Sequence, residues 1–93
     1  VVENIEGTED WVEVAHELDS CFDWSAITVW WSPSARKYFW YSDAGCSCND
    51  HMDYVDSIGE FSVGDKGDVL RETKDWSDSF RDEIRNHKGL RLN

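Results

Sequence analysis

A chain of 93 residues with 40% hydrophobic and 14% aromatic side chains carries enough apolar surface to exclude disorder, and it is too short to hold a second core. The formal charge of −11 repels phosphate and disfavours direct nucleic-acid binding. No run of about 18 apolar residues is present, so membrane insertion is not expected.

Residues 1–9, with Glu3, Glu6, Gly7 and Glu9, read as a flexible acidic arm. From Trp11 to Leu18 the pattern alternates. Val12, Val14, His16 and Leu18 fall on one side, and Trp11, Glu13, Ala15 and Glu17 on the other. Period two predicts a half-buried strand. Asp19 to Asp23 reads as a turn of small polar residues. Ala26 to Trp31 is a β-branched and aromatic run, a second strand. Ser32 to Arg36 reads as a turn with Pro33 at its second position, and Lys37 to Ser42 as the third strand. Short turns between successive strands predict an antiparallel meander over residues 10–42.

Asp43-Ala44-Gly45 reads as the end of that strand. Residues 43–62 form a loop carrying the Gly45-Cys46-Ser47-Cys48 motif, with at most one short helical turn between Asp50 and Glu60. Phe61 to Val63 reads as extended. The remainder, residues 63–93, is helical. Asp65 or Ser62 suits the cap, and Leu70, Thr73, Trp76 or Ser77, Phe80, Ile84 and His87 recur at helical steps. One helix over 65–88 would be about 36 Å long, against about 20–27 Å for the strands. The spacing therefore favours a break near Thr73–Ser77, where helix propensity is poor. The predicted class is α+β: a single domain with a small antiparallel sheet of about three strands, packed by a C-terminal helix or broken helix pair.

The alternation leaves large aromatics on both sheet faces. Ile27, Val29 and Trp31 share one face of the second strand, and Ala26, Thr28 and Trp30 the other. Tyr38 and Trp40 oppose Phe39 and Tyr41 in the third. One helical layer covers one face only. Unless the arm or the 50–60 loop wraps the other, the aromatics form a contact surface. The candidate protein-binding residues are Trp30, Tyr38, Phe39, Trp40 and Tyr41. The same face offers a route to a homo-oligomer.

Charge is unevenly placed. Residues 1–64 hold thirteen acids against Arg36 and Lys37, while acids and bases balance in residues 65–93. An acidic body steers a protein toward a basic partner, or simply keeps it soluble. It also raises the alternative of a DNA-mimic inhibitor of a DNA-binding enzyme, although the acids are scattered rather than regularly spaced.

Cys46, Cys48 and His51 are weak candidates for a metal site, with Cys21 or Asp50 as a fourth ligand. The spacing lacks the usual two-residue gap, and no second Cys/His pair closes the site. The simpler reading is a tight turn whose thiols pack as small apolar groups. An odd cysteine count fits reduced thiols in a cytosol better than a disulfide framework. The chain offers neither a phosphate-binding glycine loop nor a convincing Cys–His nucleophile. The expectation is a protein that is not an enzyme and needs no cofactor, with a small metal or redox module at the cysteines as an alternative.

The segment Val29-Trp30-Trp31, then Lys37-Tyr38-Phe39-Trp40-Tyr41-Ser42-Asp43-Ala44-Gly45-Cys46-Ser47-Cys48, with Asp75-Trp76 in the helix, resembles a group of small uncharacterised proteins encoded by mycobacteriophages and other actinobacteriophages. Trp11, Val14, Ala15 and Asp19 match their first strand loosely. His51 departs from the small residue their pattern places after the second cysteine, and the group offers no catalytic residues to carry over. The resemblance implies a phage accessory protein acting in the host cytoplasm by binding a host protein.

Overall fold

The computed structural model describes residues 5–20, 23–45, 51–52 and 55–88. Three nine-residue strands come first: β1 (Val12–Ser20), β2 (Trp24–Ser32) and β3 (Lys37–Gly45). A 3-10 turn over Ile58–Glu60 leads into a short strand, β4 (Ser62–Gly64). Helices α1 (Lys66–Glu72) and α2 (Asp78–Asn86) follow. All strand pairs are antiparallel, and the sheet order is β1-β2-β3-β4. The architecture is α+β.

The sheet gains a fourth strand over the three read from sequence. Ser62, Val63 and Gly64 pair with Trp40, Phe39 and Tyr38, so the extended stretch expected near Phe61 to Val63 is recruited to the edge of β3. The third strand also runs past Ser42. Asp43, Ala44 and Gly45 pair with Ala26, Ser25 and Trp24. Ladder bonds from β2 outweigh the weak strand propensity of these residues. The turn between β2 and β3 is closed by Arg36 N donating to Ser32 O at 2.8 Å, with Arg36 in the left-handed region at φ 55°. Asp10 accepts from Ser34 N at 2.9 Å, and hydrogen bonding from Ser34 holds its carboxyl below the usual value.

A bulge resets the first strand. The pairing of β1 with β2 shifts register between Glu13 and Ala15. Before it, Glu13 lies opposite Trp30; after it, Ala15 lies opposite Val29. Simple alternation puts Trp11 and Ala15 on one face. The extra residue instead sends Trp11 to the outer face and Ala15 to the helix face, as a bulge does when it re-aims side chains.

The helix face carries the larger core. Ala15, Ile27, Val29, Trp31, Tyr38 and Trp40 pack against Val69 of α1 and Phe80 and Ile84 of α2. The expected break is present: α1 ends at Glu72 and α2 begins at Asp78. Buried Thr73 returns its hydroxyl to Val69 O at 2.8 Å, and Ser77 Oγ caps α2 by accepting from Phe80 N at 3.2 Å. Two short helices thus stay within the span of the sheet. Asp65 caps α1 in a reciprocal box with Asp68, at 2.9 and 3.1 Å. Gly64 allows this close turn, since a Cβ there would sit 2.6 Å from Asp68 Oδ2.

The C-terminal end of α2 is tied to the sheet by one histidine. His87 Nδ1 lies 3.0 Å from Tyr38 Oη, and Lys66 Nζ donates to the carbonyls of Arg85 and His87. Burial, then the nearby Lys66 charge, pushes His87 below its ordinary pKa of 6.5. Burial raises Tyr38, keeping its hydroxyl protonated and able to donate to neutral His87. The unfolded chain therefore binds a proton at His87 before the folded chain does. Stability from this group is complete above about pH 6.5 and is lost as pH falls toward the lowered folded value. Urea midpoints at pH 7 and pH 5.5 should differ more for the wild type than for His87→Gln.

Of the arm expected over residues 1–9, residues 1–4 lie outside the described residues, and residues 5–9 do not hang free. Ile5 is buried in the outer cluster, and Thr8 is buried with Oγ1 donating to Ile5 O at 2.9 Å. An apolar anchor and a local hydroxyl bond offset the ordering entropy of this short segment.

Candidate functional site

The aromatic outer face is covered. Ile5 and Phe61 are buried with Trp11 and Trp30, and Phe39, Tyr41, Met52 and Val55 pack around them. Trp11 stacks on Phe39 at 4.5 Å and meets Phe61 edge-on at 5.1 Å. Trp30 also meets Phe61 edge-on, at 5.4 Å. The N-terminal segment and the segment ahead of β4 therefore form a second layer.

The fold buries three of the five residues expected to form a contact surface. Trp30, Tyr38 and Trp40 are 5%, 3% and 6% exposed, and Tyr38 and Trp40 lie beneath the helices. No partner reaches these three side chains without opening the fold. Phe39 and Tyr41 are half-buried. Burial raises the Tyr41 hydroxyl, with Asp43 and Glu60 adding to it.

Cys46 and Cys48 lie outside the described residues. His51, the third weak metal candidate, is placed, and it points back into the sheet. Its Nδ1 pairs closely with Asp43 Oδ1, and its Nε2 lies 3.0 Å from Thr28 Oγ1. Thr28 Oγ1 is in turn 2.7 Å from His16 Nδ1. Asp43 Oδ2 accepts from Met52 N at 2.9 Å. With Asp43 ionised, His51 donates from Nδ1 and accepts at Nε2. The Thr28 hydroxyl then donates to His51 and accepts from His16. Every member of the Asp43–His51–Thr28–His16 chain is satisfied in one direction, which fastens residues 51–52 to three strands.

The order Asp–His–Thr imitates a nucleophilic triad, with Thr28 only 3% exposed and its hydroxyl bridging His51 and His16. Among the described residues, no group of three or more His, Cys, Asp or Glu gathers to hold a metal ion. Sequence reading missed this chain because its members lie on four segments. The only local signal is register: His16 lies opposite Thr28, and Thr28 opposite Tyr41.

A cavity of about 380 Å³ opens beside the two imidazoles, lined by His16, Leu18, Ser20, Trp24, Ala26 and His51. It sits where β1 forms one edge of the sheet. Most of β1 faces solvent. Leu18 is 56% and Val12 44% exposed, and Glu13 and Asp19 are exposed beside them. No Lys or Arg precedes Arg36 in the chain, so β1 itself carries acids and no fixed cation. No helix among the described residues is long and apolar enough to cross a membrane.

A small α+β domain, with an aromatic antiparallel sheet covered on both faces and one exposed acidic edge, is the class of protein these features define. The chain belongs to the family described as a domain of unknown function, DUF7574, whose model matches residues 9–89. No curated protein and no solved structure matches it.

Proposed function

We propose that this chain is a non-enzymatic bacteriophage accessory protein that binds a host protein in the cytoplasm of an actinobacterial host. The observation that carries the binding role is the edge strand β1. It exposes Val12 beside Glu13 and Leu18 beside Asp19 in a stretch with no Lys or Arg. Exposed apolar side chains bordered by one sign of charge suit a complementary protein surface better than a phosphate backbone. The buried aromatics leave the acidic surface as the contact, so the binding face moves from the hairpin tryptophans to β1. The phage setting rests on the resemblance of residues 29–48.

The test is affinity capture from actinobacterial lysate. The wild type is compared with a Glu13→Lys/Asp19→Lys variant and with Asp82→Lys/Glu83→Lys as a charge-matched control on α2. One host protein should be recovered by the wild type and the control, lost with the β1 variant, and recovered less as salt rises. Equal recovery by all three overturns the assignment to β1. Recovery of a DNA-binding enzyme that is displaced by duplex DNA would instead support the DNA-mimic alternative.

A further inference from the structure

Resting on the binding role proposed above, the geometry points to strand addition. We infer that an extended, basic segment of the partner protein pairs with the outer edge of β1 and sets one bulky apolar side chain into the cavity between His16 and Trp24.

Among the described residues β1 pairs with β2 alone. Alternate backbone N–H and C=O groups along its other edge are therefore offered outward, as a template for a further strand. The bulge at Glu13–Ala15 interrupts the first part of this edge. From Ala15 to Ser20 the register with β2 is unbroken, so residues 15–20 set the length of the added strand.

The two faces of that stretch ask for different side chains. His16, Leu18 and Ser20 point to the outer face and line the cavity with Trp24 and Ala26. A residue of the added strand on this face meets imidazole, indole and a largely exposed leucine, which suits an apolar side chain. Glu17 and Asp19 alternate onto the helix face. Asp19 is exposed, while Glu17 also accepts from Ser77 at the start of α2; residues flanking the apolar anchor lie beside these carboxylates, which suits Lys or Arg. The recognised segment thus alternates basic and apolar residues.

The same acids select the occupant. Two copies of β1 brought edge to edge would set Glu17 and Asp19 against like charges, with no Lys or Arg in the strand to offset them. A second copy is therefore disfavoured, and a basic segment of another protein is favoured by charge complementarity.

The test uses the capped probe peptide Lys-Val-Lys-Leu-Lys-Val-Lys and the full-length protein, followed by backbone amide NMR. Shifts should concentrate at residues 15–20. Methylating the peptide nitrogens on the edge facing β1, or changing the central Leu to Gly, should weaken binding by about tenfold or more. Three results overturn strand addition: no shifts in β1 at millimolar probe, shifts spread over the acidic surface, or equal affinity for the N-methylated peptide. Host-protein capture that still depends on Glu13 and Asp19 would then leave the binding role standing. Capture independent of β1 removes the binding role at β1 itself.

Discussion

Trp30→Ala is expected to lower stability by about 3–5 kcal/mol, the range for emptying a buried large aromatic site. Trp30 sits in the middle of the outer cluster. Its ring centroid lies 5.6 Å from Trp11 and 5.4 Å from Phe61, with Ile5 completing the buried set. Among the described residues no α-helix backs this layer. Its cover is two irregular segments that hold their place largely by packing on these rings, so the site collapses poorly around a void. Domains of this kind are stable by about 5–15 kcal/mol in total, and the substitution removes a large share. The urea midpoint should fall steeply with little change in slope. Tyr41→Ala, at a half-buried position on the same face, should cost less. An unchanged Trp30→Ala midpoint would show that the outer layer is not a core. Any loss of partner binding in Trp30→Ala reports unfolding unless the midpoint is measured beside it.

The sequence pattern carries the sheet well and its cover poorly, for physical reasons. Period-two alternation sorts Ile27, Val29 and Trp31 from Ala26, Thr28 and Trp30, and sorts Tyr38 and Trp40 from Phe39 and Tyr41. The observed register keeps both divisions. The helix break is also legible, because Thr73 and Ser77 favour bonds to nearby backbone groups over continuing a helix. The bulge at Glu13–Ala15 leaves no such mark. One inserted residue keeps the composition of the strand while reversing which side Ala15 faces relative to Trp11. The outer cover is equally hidden. Ile5, Met52, Val55 and Phe61 are isolated apolar residues in segments without a period, and only the folded chain brings them together over Trp11 and Trp30. His51 shows the same limit at the candidate site. Beside Cys48 it suggests a metal ligand, yet its bonds run to Asp43 and Thr28, partners that only strand pairing supplies.

Phe80→Ala tests the opposite layer and should cost a comparable amount, about 3–5 kcal/mol. Phe80 is 2% exposed and packs with Val69, Ile84 and the strand residues of the helix-face core. Its ring lies 6.1 Å from Trp76. A nine-residue helix such as α2 is not stable alone in water, so it exists because Phe80 and Ile84 are held against the sheet. The two layers should nevertheless respond differently. Loss of Phe80 should speed amide exchange in α2 ahead of the strand amides, because a helix packed mainly through two side chains opens as a unit. Loss of Trp30 should instead expose residues 5–11 and 55–61 first. The edge of β1 receives its ladder bonds from β2, not from α2, although Glu17 bonds the Ser77 hydroxyl at the start of α2. Below its lowered midpoint, Phe80→Ala should therefore keep the shifts induced at residues 15–20 by the basic probe peptide. Their disappearance while the sheet amides remain protected would show that α2 fixes the binding edge through Glu17 and Ser77.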